Sequence, residues 1–528
     1  MGRFRGHLCA AVAAAVLAAC GSSSTTSTVA ASTARGTLVV SPPLRIASLD
    51  APTFQAQLAA SASGAQLLQL SGAPRCGVDF YYIKFMTVGA ASEATESSGA
   101  LMVPTGAAPA CSGARPMLLY AHGTQTDMTA NIADITNSAN TEGALIAAMF
   151  AAQGYIVVAP NYAGYDISTL GYHPFLDAAQ QSGEMMDALA AARSALPTTF
   201  AAATSDSGKL FITGYSEGGH VAMATQRALE AAGKPITAVA PMSGPYALEA
   251  FGDAIFFGNV NIGSTEFAPL LTTSYQHAYG NIYSSTSDIY SATYATGIDT
   301  LLPSAIPINT LFSTGKLPQT ALFDSATPTV TVPNNVTLSA ALTAALAVPS
   351  NPSNPLTPVF QVGFGSPYLI NNSVRVSYAL DEAADPDGTA AGSTALATAA
   401  PTYALRHAFY VNDLRLGSWA PNAPTLLCGG DQDPTVFFSV NTMTMAAFWS
   451  SLPAGLISVV DVNAKPAGAF SAIQAGFQAS EALQLAVYES AAGGALSPAA
   501  AQLQLIEGYH SAVAPFCALA ARSFFSQF

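Results

Sequence analysis

Charge is what this sequence has least of. Only 9% of its 528 residues are Asp, Glu, Lys or Arg, against about 25% in an average soluble domain. What charge there is tips acidic: 17 Lys and Arg stand against 31 Asp and Glu, a formal net charge of −14. An acidic surface repels phosphate backbones, so nucleic acid is not an expected partner. Cysteine is scarce too, at six. No CxxC pair and no His/Cys cluster with zinc spacing occurs, so neither a metal nor a cofactor is expected. Past the N-terminus no apolar run is long enough to span a bilayer. No internal repeat is visible.

Half of the residues are hydrophobic, which with so little charge implies a well-packed protein under an Ala/Ser/Thr-rich surface. The length is too great for one ordinary core. One large domain with a substantial insertion, or two domains, is expected. Oligomeric state is not legible.

The N-terminus reads as an export signal. Arg3 and Arg5 precede the short apolar run "LCAAVAAAVLAAC", too brief for a membrane helix. "LAAC-G" at 17–21 resembles the lipobox of bacterial lipoproteins, and a Ser/Thr-rich stretch follows at once. That resemblance implies a signal peptide over 1–20, lipidation of Cys20, and a tether over 21–36. The alternative is an ordinary signal that happens to hold a cysteine. With Cys9 and Cys20 set aside, Cys76, Cys111, Cys428 and Cys517 remain, an even number that suggests disulfides in an exported protein.

From about residue 75, strand and helix patterns alternate. "FYYIKFMTV" (80–88) and "ESSGALMVP" (96–104) read as paired strands. The continuous apolar runs "RPMLLYAHG", "YIVVAPNYAG", "KLFITGYS" and "ITAVAPMSG" read as buried parallel strands. Helical periodicity separates them over 142–154, 177–196 and 218–234. The rhythm breaks over 250–405, a stretch rich in Tyr, Thr, Ser, Asn and Pro. It returns with "PTLLCGG", a helix near 438–451, "GLISVVDV" and a last helix after "EGYH". The pattern predicts an α/β fold, a mostly parallel sheet flanked by helices. Its core is expected over 37–249 and 406–528, with a large inserted cap or lid over 250–405.

Gly214-Tyr215-Ser216-Glu217-Gly218 ends one buried strand and opens a helix. G-x-S-x-G alone is weak evidence, but this context is the one a strained nucleophile elbow requires. A serine hydroxyl needs a base, and the base an orienting acid. Of seven histidines, His510 follows the last predicted strand, in an expected turn before the last helix, where a hydrolase places its base. His7 is in the signal. His220 lies one helical turn past Ser216 and reads as packing. His173, at an expected helix start, reads as a loop or cap residue. His277 and His407 fall in or beside the insertion, and His122 reads as a brace. The acid is expected in "GGDQDPTV", at a strand's C-terminal end. There Asp433 fits G-x-x-D-x-x-V better than Asp431, with Asp461 as an outside candidate. An oxyanion needs two donors. The expected pair is the backbone N–H of Glu217 and that of Thr124, after "YAHG", with Gln125 in reserve. If Asp433 meets His510, Cys428 and Cys517 become neighbours, so Cys428–Cys517 and Cys76–Cys111 is the expected pairing.

These pieces together ("YAHGT", "GYSEGGH", "CGGDQDPTV", "GYHSAV") resemble the α/β-hydrolase superfamily, and within it bacterial secreted lipases and esterases. The resemblance covers about 75–250 and 405–528. It implies hydrolysis of small-molecule or polymeric carboxylic esters by Ser216, Asp433 and His510 without a cofactor, in an exported protein touching membrane only through its lipid. A serine peptidase of the same fold and a non-catalytic surface lipoprotein are the other readings. Glu217 departs from the Gln, Met or Leu that many relatives carry. The lipidation reading has a direct check: labelled palmitate should enter the wild-type protein in a bacterial host and not a Cys20→Ser variant. A wild-type protein that takes up no label would be a plain secreted one.

Overall fold

The computed structural model describes residues 34–528, apart from 138–139, 202, 332–333, 388–393, 398 and 491–495. The expected signal, Cys20 and most of the tether lie outside the described residues.

Period-two burial builds the sheet. Along the strand Gly77–Val88, Val78 and Phe80 pack into one core, while Tyr81, Ile83 and Phe85 pack into another on the opposite face. Along Gly113–Ala121, Leu118 and Tyr120 face the first core and Met117 and Leu119 the second. Side chains alternate across a strand, so a run that is apolar throughout needs cover on both faces. Helices Thr141–Met149 and Pro498–Phe525 contribute to the first core, and Ala178–Ala195 and Glu217–Ala231 to the second. Each large apolar side chain buried this way contributes about 1.5–3 kcal/mol.

In chain order the strands are β1 (Leu44–Leu49), β2 (Gly77–Val88), β3 (Ala94–Thr105), β4 (Gly113–Ala121), β5 (Ile156–Pro160), β6 (Thr204–Tyr215), β7 (Ala238–Met242), β8 (Phe323–Asp324), β9 (Phe364–Gly365), β10 (Thr425–Gly429) and β11 (Ile457–Asp461). Nine form one sheet in the order β1-β2-β3-β5-β4-β6-β7-β10-β11. β1, β2 and β3 pair antiparallel, β3 meets β5 antiparallel, and the rest run parallel. β1 has no counterpart in the sequence reading, because LRIASL is too exposed and too mixed to show a buried period.

Between β7 and β10 only the short β8 and β9 occur among the described residues, and they pair with each other. This stretch has its own aromatic core, with Phe251, Phe256, Tyr275, Tyr290, Phe323 and Phe409 buried together. The composition-based limits 250 and 405 fall inside the helices Leu248–Phe256 and Ala404–Asn412. Arg406 is fully buried and pairs with Glu249 and Asp253, each at 2.9 Å, so it ties those two helices together. Removing one partner of a buried pair typically costs about 3–5 kcal/mol, because the other charge is left uncompensated.

Two details correct the sequence reading. His510 does not sit in a turn: it lies inside one helix, Pro498–Phe525, started by Ser497 with Pro498 in the first turn. Gly508 is a poor helix former. The buried spacing of Ala501, Ile506, Tyr509 and Val513 carries the helix through it. The helix placed near 438–451 is shorter, Thr442–Phe448.

Disulfides join Cys76 to Cys111 and Cys428 to Cys517, across 35 and 89 residues of chain. The second links β10 to the helix that carries His510. Closing a loop of that size restricts the unfolded chain by about 4–5 kcal/mol in the entropic account. Replacing Cys428 and Cys517 by Ser should therefore lower Tm by roughly 4 °C in scanning calorimetry. A Tm unchanged within a degree would show that the bond contributes no net stability.

Candidate active site

Ser216 joins β6 to the helix Glu217–Ala231 with φ 60° and ψ −122°. That is left-handed backbone, which a residue with a side chain adopts only under constraint. The constraint is crowding. A Cβ on Gly218 would stand 2.0 Å from the Ala121 carbonyl oxygen, and one on Gly214 would stand 2.2 Å from that of Gly218. The two glycines let the helix start against the strand ends, and the Ser216 N–H donates to the Met242 carbonyl of β7 at 3.0 Å.

The long helix brings His510 over this elbow. Its Nε2 lies 2.9 Å from Ser216 Oγ and its Nδ1 lies 2.7 Å from Asp433 Oδ2. Asp433 is buried, and its other oxygen accepts the N–H groups of Thr435 and Val436 at 2.9 and 3.0 Å. An ionised carboxylate only accepts, so it places the imidazole proton on Nδ1 and leaves Nε2 to accept from the serine. The Tyr215 hydroxyl donates to the His510 carbonyl, and the two rings lie 4.9 Å apart. Pro515, which has no N–H to give the helix, follows five residues on. Asp431 and Asp461 are elsewhere. Asp431 is exposed and bonded to Asn463 at 2.8 Å, and Asp461 accepts the Asp431 N–H at 3.2 Å.

Among the described residues, the backbone N–H groups of Glu217 and Thr124 donate to nothing. The first is an orphan of the helix N-terminus. The second lies in a braced loop. Glu142 accepts the Gly123 N–H at 3.0 Å and the Tyr120 hydroxyl at 2.7 Å. His122 faces the Gly123 and Asn161 carbonyls at 2.7 and 3.1 Å and stacks on Tyr162 at 4.0 Å. Burial raises the Glu142 carboxyl above its ordinary value, with His122 opposing. The Gln125 carbonyl accepts the Tyr165 hydroxyl at 2.6 Å.

The Glu217 side chain turns away from the serine into the protein. Its Oε1 meets His173 Nε2 at 2.7 Å and Gln181 Nε2 at 2.6 Å, with all three side chains buried. Burial alone would raise this carboxyl, but the attraction and hydrogen bond of His173, with His122 and Gln181, together outweigh it and hold Glu217 below its ordinary value. His173 Nδ1 is 2.9 Å from the Ala163 carbonyl. His173 is a buried loop residue and starts no helix: the next helix begins at Ala178. Sequence reasoning missed this pair and Glu142. The available signal was scarcity, since a carboxylate beside a buried strand end in so uncharged a chain needs a partner. Of the other histidines, His277 stacks on Tyr172 at 3.7 Å and His407 faces the Pro401 carbonyl at 3.1 Å.

Ser216 opens into a cleft of about 810 Å³ of empty space, its mouth included. Phe175, Phe251, Phe256, Phe267 and Leu271 line it, with Thr124 and Glu217 at the serine. Among the described residues no cluster of His, Cys, Asp and Glu is arranged to hold a metal.

A nine-stranded, mostly parallel sheet covered by helices on both faces, with this elbow at its centre, is the α/β-hydrolase fold, and the chain resembles bacterial lipases and esterases. It is similar to the rice cell wall degrading esterase LipA from Xanthomonas oryzae, at 26% identity over 81% of this chain and 91% of that one, with a TM-score of 0.59. A "putative hydrolase" from Legionella pneumophila shares the fold at 18% identity, over 93% of this chain and 97% of its own, with a TM-score of 0.59. No protein-family model and no curated protein matches the sequence. These likenesses support a hydrolase.

His220 is fully buried, with Nε2 3.0 Å from the Asn412 carbonyl, and burial pushes its imidazole down to about 4. The unfolded chain therefore takes up this proton first as pH falls. Its stabilising effect is complete above the unfolded value of about 6.5, declines through that point to about 4, and is flat below. The loss amounts to about 3 kcal/mol. In His220→Gln, which keeps an N–H for Asn412, urea unfolding should show an acid dependence smaller by that amount between pH 6.5 and 4. An unchanged dependence would mean that another group titrates there.

Proposed function

We propose that the protein is an exported serine esterase of the lipase type that hydrolyses apolar carboxylic esters through an acyl-enzyme. The observation that carries this reading is His510, within hydrogen-bond distance of both Asp433 and the Oγ of Ser216, which lines an apolar cleft. In this reading Ser216 Oγ attacks the ester carbonyl carbon while His510 Nε2 takes its proton. Asp433 keeps the ring oriented and stabilises the imidazolium. Negative charge on the carbonyl oxygen is met by the N–H groups of Glu217 and Thr124. Each such donor typically contributes about 3–4 kcal/mol to the transition state. Collapse expels the alcohol, which takes the proton back from His510, and leaves an acyl-Ser216 ester. Water, deprotonated by His510, then attacks that ester, releases the carboxylic acid and restores the serine.

The esterase activity named for the Xanthomonas relative supports the ester as substrate. The aromatic and aliphatic lining of the cleft favours an acyl chain over a polar peptide. Two disulfides favour an oxidising compartment. Lipidation at Cys20 would then hold the enzyme at a bacterial outer membrane, and its absence would release it.

Ser216→Ala should lower kcat/KM for p-nitrophenyl butyrate by at least about 10³-fold without changing the circular dichroism spectrum. Asp433→Asn should cost about 10³–10⁴-fold, and Asp431→Asn less than about twofold. A Ser216→Ala enzyme that retains a tenth of wild-type turnover would sink the assignment.

A further inference from the structure

The cleft is apolar almost throughout, and for that reason one side chain in its wall stands out. Among the described lining residues only Glu217 and Asn261 carry a buried side-chain atom with no hydrogen-bond partner. Glu217 already has its other oxygen bound to His173 and Gln181. Asn261 does not: Oδ1 is its only side-chain acceptor, and no donor among the described residues meets it.

The orientation of this amide is fixed by its neighbour. Asn261 Nδ2 donates to the Thr435 carbonyl at 2.9 Å. Turning the amide over would set oxygen against oxygen, so Oδ1 has to be the free end. The residue is 5% exposed, and it is clamped from both sides. The next N–H, of Ile262, donates to the Pro434 carbonyl at 3.1 Å, and the Ser264 N–H returns to the Asn261 carbonyl at 3.3 Å. The clamp is on the acid loop itself, where Thr435 N–H binds Asp433. Ser264 and Thr435 also line the cleft, so Asn261 belongs to a small polar patch on the acid-loop side of an aromatic pocket.

A buried amide oxygen without a donor is disfavoured, and native proteins supply one. Asn261 lines the cleft, so a donor supplied from outside the protein would come from that side. We infer that Asn261 Oδ1 is a substrate-binding group that accepts a hydrogen bond from a hydroxyl carried by an otherwise apolar ester. This inference rests on the esterase reading and narrows its substrate class. The hydroxyl belongs either to the acyl chain, as in a 3-hydroxyacyl ester, or to the alcohol, as in a diol or glycerol monoester. The chemistry at Oδ1 is the same for both.

Two matched ester pairs separate the sources: p-nitrophenyl 3-hydroxybutyrate against p-nitrophenyl butyrate, and 2-hydroxyethyl butyrate against propyl butyrate. Each kcat/KM ratio is divided by the ratio of the hydroxide-catalysed rates, which removes intrinsic reactivity. Wild-type enzyme should prefer the hydroxylated member of one pair by at least about tenfold, since a site built to bond a substrate hydroxyl rejects the analogue without it. In Asn261→Leu the ratio should fall to within about twofold of one. Asn261→Asp keeps an acceptor and should keep the preference, whatever it does to the acid loop and to overall rate. A merely structural role for Asn261 would change the rates and leave the ratio alone. Wild-type ratios near one in both pairs, a preference that survives Asn261→Leu, or one lost equally in Asn261→Asp would each overturn this inference and leave the esterase reading standing. Failure to hydrolyse any of the four esters would overturn both.

Discussion

The structure turns on how closely a helix start can approach the ends of three strands. Ser216 is held with left-handed backbone because the helix Glu217–Ala231 begins against Ala121 of β4 and Met242 of β7, with no room for a Cβ at Gly214 or Gly218. Parallel strands all end on one side, and the sheet order sets β6 between β4 and β7. The crowded point is therefore also the place where loops from neighbouring strands converge. Thr124 follows β4, His173 lies in the loop after β5, and Asp433 follows β10. One steric constraint positions a serine, and the topology delivers its neighbours.

Charge is spent narrowly in this protein. Surface ion pairs contribute little in water, and few are present among the described residues, such as Arg193 with Asp206. Charges appear instead where they are buried: Glu217 with His173 beneath the elbow, Glu142 against the Gly123 N–H, and Arg406 and Arg415 among carboxylates at the base of the inserted segment. Buried charges are costly to strand, so each fixes a local geometry sharply. The Glu217 side chain anchors the residue that follows the serine, and Glu142 anchors the loop that carries Thr124. Both sides of the serine are thus braced from within.

The legible parts of this molecule were those with a local signature. Continuous apolar runs gave the strands β4 to β7, and glycine spacing around Ser216 gave the elbow. Asp433 could be chosen because it follows a strand at the right end of the sheet, and His510 because it comes after the last predicted strand, although the helix Ser471–Ser490 stands between; the expected second disulfide rested on their contact. What was illegible depends on contacts between distant segments. The His173–Glu217 pair spans 44 residues and the Asn261–Thr435 bond 174. Neither residue of either pair announces the other. His510 was named from the sequence but given the wrong setting, because Gly508 suggests a break that the buried face of a 28-residue helix overrides. The inserted segment resisted reading altogether: its short helices bury aromatic residues against one another and not against a repeating sheet face.

Ser216 and His510 are 294 residues apart, and His510 and Asp433 are 77 apart. Contacts of such long reach form only after the intervening chain has lost its freedom, and a parallel sheet closes late for the same reason. A folding chain can own a strained serine turn well before it owns the imidazole opposite. The Ser216–His510–Asp433 constellation is therefore a property of the finished sheet: a partly built form of this protein holds its parts without their contacts.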